Sequence, residues 1–214
     1  TDASAVVAAL PEEVAGHEKS FDVDEALLVA RDLFWERGYD GTGIRDLEHA
    51  IGIGRKSLYD TFGSKRELYQ RALERYADTL VERICGGLTR EGSGALGNLE
   101  RVLEKLQRHH GAPGSFGCLL GVAMGQARGD DDLAAWIRSV LDRLETAFEA
   151  AIEGAQNAGE IRADLAPRDI ARQLVALSQG MALLGRIEDR PARTRGVVRG
   201  FLQSLSPCPD GRPS

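Results

Sequence analysis

The sequence is poor in the groups that staple or anchor a chain. Its three cysteines, Cys85, Cys118 and Cys208, lie far apart among 214 residues. Their number is odd and no C-x-x-C pair occurs, which argues against a zinc module and against a disulfide scaffold. The longest purely apolar run, Ala5 to Leu10, is far too short to span a bilayer. It sits in an acidic context broken by Pro11 and lacks a basic flank, so a secretory leader is not expected. A reducing cytoplasm is the expected setting. A general basic surplus is missing too: the formal net charge is −6 and the pI is near 5.3. That disfavours a general coat for nucleic acid but leaves room for a local basic patch. No Ser/His/Asp or Cys/His set, phosphate loop or paired metal ligands can be found, so neither an enzyme nor a cofactor site is expected. His109 and His110 are adjacent, and neighbours on a helix diverge by about 100°, so only one of them could ligate a metal.

What the chain does contain is helical periodicity. Residues 1–20 show none that is sustained and read as a mobile arm. From there, Val23, Ala26, Leu27, Ala30, Leu33 and Phe34 recur at three and four residues until Gly38 stops the run. A short element follows with Ile44, Leu47 and Ile51 on one face, Thr42 as its N-cap and Gly52 as its break. A third, from about Arg55 to Thr61, turns Leu58 and Phe62 inward. Ser64 with Glu67 reads as a capping box that starts a helix at Lys65, running to about Gly86. Glu91 to Gly97 reads as a turn region. Later helices cover Leu99 to His110, the short apolar stretch Gly117 to Arg128, and the long stripe from Leu133 to Ile152. Pro167 suits a helix N1 position, and a last helix holds Val197 to Leu205. With no convincing strand, the fold class is all-α with about nine helices.

Three short helices at 22–62 joined by tight turns form a helix-turn-helix pattern. Gly52 permits the turn and Ile53 plugs the angle. Residues 21–70 carry seven basic and ten acidic side chains, yet between 53 and 66 Arg55, Lys56, Lys65 and Arg66 face a single acid, Asp60. A short helix offering Arg, Lys, a phenol and a hydroxyl suits a major groove. The N-terminus of the next helix is a natural phosphate site beside Lys65.

These residues carry a resemblance. Leu33-Phe34-Trp35-Glu36-Arg37-Gly38-Tyr39-Asp40-Gly41-Thr42, then Ile44-Arg45-Asp46-Leu47, then the run from Gly52 through Phe62-Gly63-Ser64-Lys65 to Leu68 resemble the DNA-binding domain of tetracycline-repressor (TetR/AcrR) family regulators. The match is specific over about 21–70 and weaker over 71–205. It implies a homodimer that binds a palindromic double-stranded DNA operator, a small-molecule effector that releases it, and repression of transcription. By position it assigns Thr42, Arg45, Gly54, Arg55, Lys56, Ser57, Tyr59, Thr61 and Lys65 to DNA, with Tyr59 and Lys65 on phosphates. Asp60 departs from the family, which often has His there. A rival reading is an interaction module of the same fold that no longer binds DNA.

The implied organisation is an arm at 1–20, a helix-turn-helix DNA-binding domain at 21–66, a ligand-binding and dimerisation domain at 67–206 and an irregular tail at 207–214. The aromatic, Met and apolar stripes suggest an effector pocket lined by Leu103, Phe116, Cys118, Leu120, Met124, Trp136, Val140, Phe148, Leu177 and Met181. Because Gly117 to Gly125 and the Trp136/Phe148 helix offer few charges, a largely apolar effector is expected. The last two helices should form the dimer seam through Leu174, Leu177, Met181, Leu184, Val197, Val198, Phe201 and Leu202. No membrane partner is expected.

Overall fold

The computed structural model describes residues 21–112, 115–187 and 191–207. The proposed arm at 1–20 and all but the first residue of the proposed tail lie outside them. Nine helices and no strand occur among the described residues: α1 Val23–Arg37, α2 Ile44–Ile51, α3 Arg55–Phe62, α4 Lys65–Leu88, α5 Gly94–His110, α6 Leu119–Gln126, α7 Asp131–Asn157, α8 Pro167–Gly185 and α9 Pro191–Ser204. No helix among them is long and apolar enough to cross a membrane.

Local chemistry explains most of the boundaries. The Asp22 carboxylate accepts from the Asp24 amide at 2.8 Å and caps α1. Gly52 ends α2 at φ 77°, a left-handed position that glycine adopts without strain, and so turns the chain into α3. Ser64 caps α4 by accepting from the Glu67 amide at 3.1 Å. Pro167 opens α8 as its sequence position suggests.

Two expected boundaries differ. Thr42 is not the cap of α2. Gly43 holds that position, its amide donating to Asp46 Oδ2 at 2.8 Å. Helix α5 starts at Gly94, inside the expected turn region. Its first-turn amide at Leu96 donates to Glu160 Oε2 at 2.7 Å, a carboxylate supplied from 64 residues downstream. A tertiary cap of that kind leaves no local signal.

Helix α1 packs on α4, and α4 continues onto α5 and α7. At 24 residues, α4 spans about 36 Å. Its Leu68, Tyr69, Ala72 and Leu73 are buried, as are Val81, Ile84 and Leu88 further along. One continuous core runs from Ala26 to Leu205, so the two functional parts share a rigid helix with no linker between them. The expected border at residue 66 falls in the first turn of that helix.

Candidate nucleic-acid interface and a cationic groove

Leu58 and Phe62 anchor α3 in the core and fix which face it presents. Gly54, Arg55, Lys56, Ser57, Tyr59 and Asp60 are exposed, and Thr61 is half-buried. Arg45 is exposed in the first turn of α2, and Lys65 is half-buried at the start of α4. Lys65 Nζ sits 4.1 Å from the centre of the Tyr39 ring, a cation–π contact that steers it. Arg55 Nε lies 3.8 Å from Glu48 Oε2.

Two sequence inferences need correction here. Thr42 is completely buried, and its hydroxyl donates to the Gly38 carbonyl at 2.7 Å. It stitches the α1–α2 turn and cannot reach DNA. Arg66 does not join the basic face. Its guanidinium bridges both carboxylate oxygens of Asp130 at 2.9 Å, and that carboxylate also caps α7 through the Leu133 amide. The Arg66 hydrogen bond and charge hold the Asp130 carboxyl below the usual carboxylate range.

Further ties join the helix-turn-helix to the rest. Gln126 Oε1 accepts from the Tyr39 amide and the Tyr69 hydroxyl, both at 3.2 Å. Trp35 Nε1 donates to the Phe116 carbonyl at 3.1 Å, and Arg186 Nη1 donates to the same carbonyl at 2.7 Å. Sequence reading missed Gln126 and Arg186. The one available signal was that Gln126 is the only polar side chain in the otherwise apolar α6.

A groove of about 620 Å³ opens between α1, α4 and α5. Its floor is Leu28, Trp35, Tyr76, Leu80, Ile84 and Val102. Arg31, Arg75, Arg83, Arg90, Arg101, Lys105 and Arg108 also line it, with no carboxylate among its lining residues. None of the ten residues expected to line the effector pocket lines this groove. Leu103, Cys118, Leu120, Val140, Phe148 and Met181 are buried core, Met124, Trp136 and Leu177 are half-buried, and Phe116 is exposed. The reason is general: an apolar stripe at helical spacing first satisfies the neighbouring helix. The apolar floor fits the expected effector, but the cationic walls do not match an expectation of few charges.

His110, also on the groove wall, is 4% exposed, and its Nδ1 has no hydrogen-bond partner. Burial, and secondarily the neighbouring His109, push its pKa down to about 4. The unfolded chain therefore takes up this proton first as pH falls below 6.5. Stability should decline between pH 6.5 and about 4, by up to about 3 kcal/mol from this group, and the decline should end once the native imidazole also protonates. Chemical denaturation across that range checks it: His110→Gln should flatten the curve, and an unchanged slope would refute the assignment.

Of the residues assigned to the dimer seam, three lie in the protomer's own core. Leu174, Met181 and Val198 are buried within the protomer, while Leu177, Leu184, Val197, Phe201 and Leu202 are half-buried. The open side is Ala176, Gly180 and Leu183 on α8 with Ile187 just beyond its end, Leu183 at 68% and Ile187 at 79% exposure.

Comparison with known proteins decides the family. Residues 26–72 match the family model for bacterial regulatory proteins of the tetR family, and residues 95–201 match that for the tetracyclin repressor-like C-terminal domain. The chain is 30% identical over 150 residues to the HTH-type transcriptional regulator YezE of Bacillus subtilis (strain 168), covering 70% of this chain and 77% of that protein. It belongs to the tetR family. The HTH-type transcriptional repressor DhaR of Mycobacterium sp. (strain GP1) is 27% identical over 175 residues, 79% of this chain and 83% of DhaR. A cysteine mutant of the TetR family regulator CifR, solved with 26-base-pair operator DNA, superposes with a TM-score of 0.76 at 24% identity, covering 87% of this chain and 97% of that one. This TetR-family chain is accordingly a DNA-binding transcription regulator. Its fold carries both parts the family models describe, joined through α4.

Proposed function

We propose that the protein is a homodimeric repressor that reads a palindromic operator with α3 and releases it when a small molecule enters the α1/α4/α5 groove. The observation that carries the DNA assignment is the α3 face: Lys56 and Tyr59 stand exposed beside Lys65 at the α4 N-terminus, and no carboxylate lies within 4 Å of either lysine among the described residues. That pattern disfavours an interaction module without DNA binding. The groove suits a trigger because its occupant would touch α1 through Trp35 and α4 through Tyr76, the two helices that carry the helix-turn-helix. Movement of either would be read out through the Arg66–Asp130 bridge and the Gln126 clasp. Reciprocity then requires operator DNA to weaken effector binding by the same factor.

The dimer is proposed to form on the open faces of α8 and α9. Leu183 and Ile187 supply apolar area, while Gly180, Gly196 and Gly200 leave open space where a side chain would stand, so a second helix can approach closely.

Selection of bound sequences from a random duplex pool tests the reading. A palindrome with half-sites about 34–36 Å apart is expected, and failure to enrich any sequence would overturn it. On the selected site, Arg55→Ala should cost roughly 1–3 kcal/mol per half-site and relax preference at one base position, because its planar fork can grip a guanine edge. Lys65→Ala should weaken all sequences evenly and reduce the salt slope by about one for each phosphate that is no longer neutralised. An even loss across operator variants for Arg55→Ala, with a shallower salt slope, would make Arg55 a phosphate contact instead.

A further inference from the structure

The groove's charge pattern points past the existence of an effector to its chemical class. The chain as a whole is acidic, and many of its arginines are matched: Arg37, Arg55, Arg66, Arg143, Arg168 and Arg172 all lie within 4 Å of a carboxylate. On the groove wall, Arg31, Arg75 and Arg108 are matched too, by Asp32, Asp24 and Glu104. Arg83, Arg90, Arg101 and Lys105 are not, Arg101 donating instead to the neutral Ser93 hydroxyl and Asn98 Oδ1. Among the described residues none of the four has a carboxylate within 4 Å, and none of the groove's lining residues is acidic. Like charges gathered around one concave surface repel one another, and an anion in the groove would relieve that repulsion.

The packing also orders the groove along its length. Gly87 lies directly against Val102: a Cβ added to it would stand 2.6 Å from Val102 Cγ2. At the far end the Trp35 ring meets Tyr76 of α4 at 5.0 Å and His109 of α5 at 6.3 Å. The helices α4 and α5 are therefore antiparallel across the groove. Arg83 is four residues from Gly87 and Lys105 is three from Val102, both toward the Trp35 end, so they stand at one level on opposite walls. Between that level and the Trp35–Tyr76 corner the floor is apolar, with Leu80, and Ile84 lies at the level itself. A volume of about 620 Å³ is ample for a drug-sized molecule.

We propose that the groove takes an amphipathic anion: an aromatic or aliphatic body laid against Trp35, Tyr76 and Leu80, and a carboxylate, sulfonate or phosphate head held between Arg83 and Lys105. This rests on the reading of the groove as the effector site. DNA is not the anion in view. Arg83 is 18 residues along α4 from Lys65, about 27 Å from the end of the helix that meets the operator.

The test uses the full-length protein and two probes with nearly the same skeleton, 1-anilinonaphthalene-8-sulfonate and its uncharged counterpart N-phenyl-1-naphthylamine. Calorimetric and fluorescence titration should show the sulfonate binding once per protomer, at least about tenfold more tightly than the neutral probe, as expected for charge-assisted contacts. Its affinity should fall with added salt. The double variant Arg83→Gln/Lys105→Gln should erase the tenfold preference while leaving neutral-probe binding and melting temperature unchanged. The control pair Arg128→Gln/Arg138→Gln, an equal change of charge at exposed positions outside the groove, should have no effect. Equal affinity for the two probes, no saturable binding of either, or an undiminished preference in the double variant would each overturn the proposal. Displacement of the sulfonate by random-sequence duplex would also overturn it, by reassigning the groove to nucleic acid. A second readout, anisotropy of the selected operator duplex, separates this proposal from the one beneath it. Charge-selective binding without operator release supports the anion site and refutes the groove as trigger. Operator release by both probes alike does the reverse.

Discussion

Leu183→Glu is expected to convert the dimer to a folded monomer and to lower operator affinity by about 10²-fold or more, since each half-site must then be bound without the tether to the other. Leu183 is 68% exposed in the protomer, so the carboxylate is fully hydrated before association and costs the monomer fold little. In a dimer seam built on α8 and α9, the same carboxylate would be buried against apolar surface with no partner, which is costly. Gly180 and Gly200 add a second route to the same end. A Cβ at either position meets nothing in the protomer, so Gly180→Arg leaves the monomer intact and fills the space a second helix would occupy. Sedimentation velocity at micromolar concentration and operator titration report the two effects separately. A variant that still sediments as a dimer would move the seam elsewhere. By contrast Leu174→Glu or Val198→Glu should unfold the chain, because both side chains lie in its own core.

Phe34→Ala is expected to cost about 3–5 kcal/mol. For a chain of this length that lowers the melting temperature by about 6–20 °C. Phe34 is fully buried, its ring edge-on to Tyr69 at 4.9 Å and stacked near Tyr39 at 6.2 Å. Tyr39 also carries the Lys65 cation–π contact, and Tyr69 holds Gln126. One cavity therefore loosens the base of α4, the lysine assigned to phosphate and the clasp to α6 together. The core is continuous through α4, so calorimetry should record one lowered transition and not the loss of a separate small one. Phe34→Leu should recover most of the loss by refilling the space. A melting temperature within about 2 °C of the parent for Phe34→Ala would contradict this account of the core.

How much of this was legible beforehand depends on the range of the interaction responsible. The helix-turn-helix was legible almost residue by residue. Its turns are made by Gly38, Gly52 and Gly63 and its inward side chains by a spacing of three and four, all within a few positions of one another. The exposed set on α3 follows, because burying Leu58 and Phe62 leaves Lys56 and Tyr59 no other direction. Thr42 misled for a local reason of its own. A hydroxyl before a helix reads as a cap, yet here it turns back to bond the carbonyl of Gly38. Arg66 misled because its partner, Asp130, is 64 residues away.

The regulatory half was legible as helices and illegible as surfaces. Periodicity located α7, α8 and α9, but an apolar stripe only says that something covers it. In α7 and α8 the cover is each other, so Phe148 and Met181 are core and not pocket, and Leu174 is core and not seam. The faces that remain open are marked by weak letters, such as Gly180 and Ala176 beside Leu183, or by arginines scattered over residues 31 to 108. Spacing thus determined the helix order and the exposed face of α3, and the resemblance of the motifs over about 21–70 pointed to the family. Only the packing of α1, α4 and α5 decided that a handful of distant cations share one groove. Charges repel or recruit through space and not along the chain, so their neighbours are set by the tertiary fold.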